Sequence, residues 1–294
     1  MLVSDGIYIE SIDFKNKSIA VIGTAPRTTF INTENAQIGT PAVIITSTGL
    51  TKPVIRSFTI LNGYGGIKAD GAIIRSCIIT DSQSHEDLPR SANLMLGANN
   101  IVENCLIVAS VSNGDLSSIG VHYGSNNHII NCTIINQSGK ETFVVGGTNA
   151  ELNVKNSIID DQNNFCIRQI FQEGDKPLLR LSYCLLNYDV SSKLIFTESV
   201  WQGKSREVIN SGQIEIGNGV IYGNPLFIAP KNNDYRLSDT SPCIGSGNRD
   251  TNTNQVDLEG NLRPNPIGSE PDIGAYENSL DASTAPLPVT GVTG

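Results

Sequence analysis

The chain is poor in the large side chains that hold most globular cores together. Of 294 residues one is Trp, two are Met and three are His, and aromatics make up 6%. That composition disfavours a helical core. No apolar run approaches the roughly 20 residues of a membrane-spanning helix, so no such helix is expected. Positive charge is also scarce, with 20 Lys and Arg against 29 Asp and Glu, a formal charge of −9. Residues 230–294 carry nine acids and four bases, −5 of that total, and the rest of the chain carries −4. This balance argues against a nucleic-acid partner. The six cysteines include no C-x-x-C or comparable metal-ligand spacing. What is abundant is Gly, at 28, and Asn, at about one residue in ten.

The abundant residues fall in a repeat. Val54–Asn62, Ile73–Asp81, Ile101–Ile107, Ile129–Asn136, Val154–Asp160 and Leu181–Asn187 share the pattern Ile-x-Asn-Cys-x-Ile-x-Asn. Aligned on Phe58, Cys77, Cys105, Cys132, Ser157 and Cys184, the steps are 19, 28, 27, 25 and 27 residues, a solenoid period. Apolar and polar residues alternate within each copy, which is the period of a strand and excludes helical and leucine-rich repeats. A second strand precedes each copy and ends at a small residue, as in Leu94-Met95-Leu96-Gly97, Val121-His122-Tyr123-Gly124 and Phe143-Val144-Val145-Gly146. Gly97-Ala98-Asn99-Asn100 and Gly124-Ser125-Asn126-Asn127 then form the corner, where Gly and Asn tolerate left-handed backbone. Two strands and a corner per turn give an all-β parallel β-helix. With about 4.8 Å between coils, eight or nine coils make a rod on the order of 40 Å long.

Four cysteines share one register. Parallel side chains one coil apart miss the geometry of a disulfide, so an interior stack of thiols is expected, with Cys acting as a small hydrophobe. The Asn62, Asp81, Asn136, Asp160 and Asn187 register reads as a side-chain ladder at a corner.

This residue pattern, over residues 1–225, resembles the right-handed parallel β-helix superfamily typified by pectate lyases. Beyond it, Asp234-Tyr235-Arg236-Leu237, Ser241-Pro242-Cys243-Ile244, Asp257-x-x-Gly260-x-x-Arg263 and Pro271-Asp272-Ile273-Gly274-Ala275-Tyr276-Glu277 resemble a C-terminal module of bacterial extracellular and surface β-helix proteins. The expected organisation is a β-helix over 1–223, an irregular excursion within it at 189–222, a capping module over 224–280 and a Pro/Thr/Gly-rich linker or tail over 281–294. A terminal cap would cover the last coil's unpaired edges. Its Asp and Arg residues are read as structural, with calcium at Asp257 and Asp272 as the alternative. Leu287-Pro288-Val289-Thr290-Gly291 looks like a sortase motif, but only three residues follow it. Met1 to Glu10 already reads as strand, turn and strand, so the first coil is expected to be incomplete and any export signal to lie outside this stretch.

Function must come from sites. The resemblance implies, for a uronide lyase, calcium on acidic residues and an Arg, Lys or His that removes the C5 proton. Placing Val121, Val144 and Ile167 inward puts Met95, His122, Val145 and Arg168 on one outward line, with His122 and Arg168 about 10 Å apart. Arg168, His122 and Lys140 are the catalytic candidates, and Asp160, Asp161 and Glu173 the candidate Ca2+ ligands. Tyr123, Trp201 and Arg90 are candidates for substrate contact. The blander reading is that loops between coils are charged in any soluble solenoid. Neither the Asp-Asp plus Gly-His-Gly set of polygalacturonases nor an Arg-x-Pro-x-x-Arg string of pectate lyases is found, and no motif fixes a glycosidase carboxylate pair.

Three readings follow. The first is a secreted or cell-surface bacterial β-helix module, carbohydrate-binding or structural, monomeric and part of a larger multidomain protein. The second is a calcium-assisted polysaccharide lyase. The third is a phage tailspike domain, which predicts a trimer. The expected partner is a polysaccharide or cell-surface glycan.

Overall fold

The computed structural model describes residues 1–282 except 36, 48, 84–90, 110–115, 138–140, 162–166, 172–175, 188–194, 200–212 and 250–254. The chain is a right-handed parallel β-helix with three sheets. Sheet A runs through nine strands from Leu2–Val3 to Ile214–Ile216, sheet B through nine from Gly6–Tyr8 to Ile221–Tyr222, and sheet C through eight from Ile12–Asp13 to Ile195–Ser199. Every pairing within these sheets is parallel and joins successive coils, as Ile101↔His128 in A, Ile107↔Ile134 in B and Val121↔Val145 in C.

Each coil therefore has three strands, where alternation alone suggests two. The repeat signature is not one strand but two short ones joined by a bend. Ile73–Arg75 lies in sheet A, Ser76 turns, and Ile78–Thr80 lies in sheet B. The bend is one residue in left-handed backbone in every copy: Ser57, Ser76, Asn104, Asn131, Asn156 and Tyr183, with φ between +47° and +65°. Asn is the residue other than Gly that adopts this region most readily, which explains the Asn before Cys.

The next residue turns inward. Phe58, Cys77, Cys105, Cys132, Ser157 and Cys184 are all buried in the interior column, and the described cysteines are free thiols. They do more than fill space. Each thiol meets the carbonyl two residues back, as Cys105 Sγ to Glu103 O (3.2 Å), and Ser157 Oγ donates likewise to Lys155 O (2.7 Å). The corner amide of Cys105 donates to Cys132 Sγ (3.4 Å), and that of Cys132 to Ser157 Oγ (3.1 Å). A small side chain with a donor and an acceptor satisfies backbone groups that the corner leaves open. Burial pushes the thiols of Cys77 and Cys105 well above the ordinary range, and that of Cys184 to about 12.

The interior is one continuous core from Phe14 to Ile214, with Phe143 between Ile119 and Ile167 in register. The amide ladder differs in part from expectation. Asn136 pairs with Asp161 rather than Asp160. A further stack stands at the corner between sheets C and A, where Asn100 Nδ2 donates to Asn127 Oδ1 (2.9 Å) and Asn127 Nδ2 donates to Gly124 O (3.2 Å). The stretch 189–222 also holds regular structure, since Ile195–Ser199, Ile214–Ile216 and Ile221–Tyr222 continue all three sheets.

The described residues of 224–280 lie along the flank of the rod, over the outer face of sheet B. Tyr235, Leu258, Ala275 and Tyr276 pack on Leu106, Val108 and Ile135, while Leu237, Cys243, Ile244 and Ile273 pack on Ile158 and Leu185. Polar contacts fix the placement coil by coil. Ala275 N donates to Thr133 Oγ1 (2.9 Å), Asn248 N to Asn156 Oδ1 (2.9 Å), and Arg27 of an early coil pairs with Glu259 (2.7 Å).

Within this segment the residues of the Asp-x-x-Gly-x-x-Arg and Pro-Asp-Ile-Gly-Ala-Tyr-Glu strings form one buried network. Asp257 accepts from the amides of Glu259, Asn261 and Glu277, and Asp272 from those of Gly245 and Asn278. Arg263 pairs with Glu277 (2.9 Å) and donates to the carbonyls of Asp272 and Gly274 (2.9 Å each). The acids template turns, as expected of carboxylates that receive several amide donors.

Candidate functional site

The three outer faces differ in what lines them. Sheet B is covered by residues 224–280. On sheet C, register puts Lys68, Met95, Gly120, Val144 and Arg168 in one row, and Val121 and Val145 point into the core. Val145 is thus inward and Val144 outward, the reverse of the expectation. His122 pairs with Gly146, not with the Gly120–Val144–Arg168 row, so His122 and Arg168 are offset along the strand as well as two coils apart. The slip arises because Val144 and Val145 are both Val, and a one-residue register shift exchanges the two faces.

Of the proposed calcium ligands, Asp160 and Asp161 have different partners. Neighbouring residues of a strand face opposite ways. Accordingly Asp160 accepts from Asn187 Nδ2 and lies near Tyr235 of the flank segment, whereas Asp161 accepts from Thr142 Oγ1 (2.9 Å). Among the described residues no three His, Cys, Asp or Glu side chains assemble as a metal site. Arg90, Lys140, Glu173 and Trp201 lie outside the described residues, as does the side chain of Arg168.

The open face is that of sheet A. Its inward residues Ile129, Leu152, Val154, Leu179 and Leu181 belong to the core, so the residues between them project outward. Register places His128, Asn153, Arg180 and Glu215 in one row on four successive coils. Strand Asn127–Ile130 gives His128, Glu151–Lys155 gives Asn153, Leu178–Ser182 gives Arg180 and Ile214–Ile216 gives Glu215.

At the edge of this row, on the corner between sheets C and A, stands Tyr123. It is 68% exposed and has φ +60°. Its ring lies over the backbone of Gly147 on the next coil. A Cβ on Gly147 would sit 2.4 Å from two ring carbons, and the φ of +87° there also favours Gly. Tyr123 thus keeps one ring face on the rod and the other in solvent.

Hydrogen bonds tie the row to this corner. His128 Nε2 meets Asn126 Oδ1 (2.9 Å), and Asn126 Nδ2 donates to Asn99 Oδ1 (2.9 Å). Asn153 Nδ2 donates to Glu151 Oε1 (3.2 Å), and the Glu151 amide donates to Gly124 O (2.8 Å), next to Tyr123. Arg180 bridges two acids, with Nη1 on Glu151 and Nε on Glu215 (2.6 Å).

Charge states follow from these contacts. Burial pulls the His128 imidazole below its usual range, aided by Lys155 and Lys52 and opposed by Glu151. Burial raises the Glu151 carboxyl, but Asn153 and Arg180 outweigh it and hold the group below its usual range. The bond to Glu215, against partial burial, raises Arg180 further. Of these residues only Tyr123 stands out in the sequence. The others carry a signal that a three-strand repeat would expose, since each is the polar residue between two inward aliphatics, as in Leu152-Asn153-Val154 and Leu179-Arg180-Leu181.

No family model matches the chain, and no curated protein does. Among solved structures a pectin methylesterase from carrot matches, at 14% identity and a TM-score of 0.48, over 76% of this chain and 72% of that one.

Proposed function

We propose that this β-helix is a non-catalytic polysaccharide-binding module of an exported or cell-surface protein, acting as a monomer within a larger chain. The observation that carries the reading is Tyr123, exposed and seated on Gly147, beside a pre-bonded row of planar polar side chains on an open sheet. An aromatic ring with one free face stacks on the apolar face of a sugar, and fixed amide and carboxylate groups hydrogen-bond its hydroxyls. The divergence of Asp160 and Asp161 and the offset of His122 from Arg168 give the lyase reading no such support.

The test is affinity electrophoresis through gels cast with soluble polysaccharides, paired with assays for reducing ends and unsaturated uronides after prolonged incubation. The expected result is retarded migration in at least one gel and no product in any. Product formation, or free migration in all of them, would reject the reading.

A further inference from the structure

We infer that the ligand of the sheet A face is an uncharged polysaccharide, bound through its hydroxyls and ring faces and not through carboxylate or sulfate groups; this rests on the polysaccharide-binding reading above. The starting point is that Arg180, Lys52 and His128 are each committed to a partner within or beside the row. Arg180 is held between Glu151 and Glu215, so its charge is more than matched by two carboxylates. The Lys52 ammonium donates to the carbonyl of Asn99. His128 Nε2 is bonded to Asn126 Oδ1. Lys155 stands two residues beyond Asn153 on the same outward face, toward the corner with sheet B.

An anionic group landing beside Tyr123 would meet Glu151 first and Glu215 further along, and repulsion between like charges on a partly desolvated face selects against it. A sugar hydroxyl, by contrast, donates to a carboxylate and accepts from an amide. The row offers both: carboxylate acceptors on Glu151 and Glu215, and amide groups on Asn126 and Asn153. The side chains are planar and already bonded to one another, so little order is lost on binding. Successive coils place the row's side chains about 4.8 Å apart, a spacing on the scale of one sugar unit, so a chain laid along the rod meets His128, Asn153, Arg180 and Glu215 in turn.

The experiment uses the full chain and measures binding to soluble neutral polysaccharides (xyloglucan, galactomannan, a mixed-linkage glucan) and to acidic ones (polygalacturonate, alginate). Each is titrated calorimetrically at low salt and at about 1 M NaCl, where screening is confined to about 3 Å. The expected result is binding to a neutral polysaccharide with Kd changed less than about twofold by salt. Tyr123→Ala should weaken it by about tenfold or more, and Tyr123→Phe should restore it, because the ring and not the hydroxyl stacks. Binding confined to acidic polysaccharides and lost in high salt would overturn this inference and leave the module's general role standing. Binding to neither class would remove the role itself. Unchanged melting of Tyr123→Ala establishes that a loss is local.

Discussion

Replacing Arg263 with Ala is expected to cost about 3 to 5 kcal/mol, the range for removing one partner of a buried ion pair. The side chains of Arg263 and Glu277 are fully buried at their contact, and Arg263 also ties down two backbone carbonyls. Without it Glu277 and Asp272 remain inside with amide donors alone. Arg263→Lys should recover little, because an ammonium cannot make the same fork of bonds.

The cost should also depend on pH. Burial pushes the Asp272 and Glu277 carboxyls up, while Arg263 pulls them down. A carboxyl whose folded value is raised contributes stability that is complete below its unfolded value and is lost as pH rises through the folded one. Removing Arg263 raises both further, so the deficit should be smaller at about pH 5 than at about pH 8. Urea melts at the two pH values read this directly. A deficit below about 1 kcal/mol, or one that grows as pH falls, would show that the network does not hold the flank segment.

The second large effect is expected at Gly124, where a side chain has no room against the preceding coil. An ideal Cβ there would lie 1.9 Å from the carbonyl oxygen of Gly97 and 2.7 Å from the amide nitrogen of Ala98. Both are backbone atoms of the neighbouring coil and cannot rotate away. Gly124→Ala should therefore cost about 3 kcal/mol or more, at or above the upper part of the range for overpacking. Gly120→Ala is the control, since its Cβ would meet Ala92 and His122 side chains at an ordinary 3.5 Å. It should change stability by less than about 1 kcal/mol. Equal effects at the two positions would contradict the coil spacing described.

Much of the rod is legible in the sequence because a solenoid repeats its local chemistry. The Cys77, Cys105, Cys132 and Cys184 column and the Gly-x-Asn-Asn corners lie where spacing places them. The split of the signature into two strands is harder to see. A single left-handed residue bends the chain, yet the inward positions on either side, as Ile74, Cys77 and Ile79, still read as a strand. The flank segment's position had a signal too. Sheet B strands are apolar on both faces, as in Ile158-Ile159 and Leu185-Leu186, the mark of a strand buried on both sides. The candidate site was legible only at Tyr123, because which polar residues line up depends on register, and register comes from pairing across coils 25 to 35 residues apart.

The most direct test of the account is amide hydrogen exchange of the protein with and without a saturating polysaccharide. Slowed exchange is predicted at corner residues 123–126 and 147–150 and in strands Asn127–Ile130 and Glu151–Lys155. Protection confined to the sheet C strands Ser91–Leu96, Leu116–His122 and Phe143–Gly146 would place the ligand on another face and contradict it.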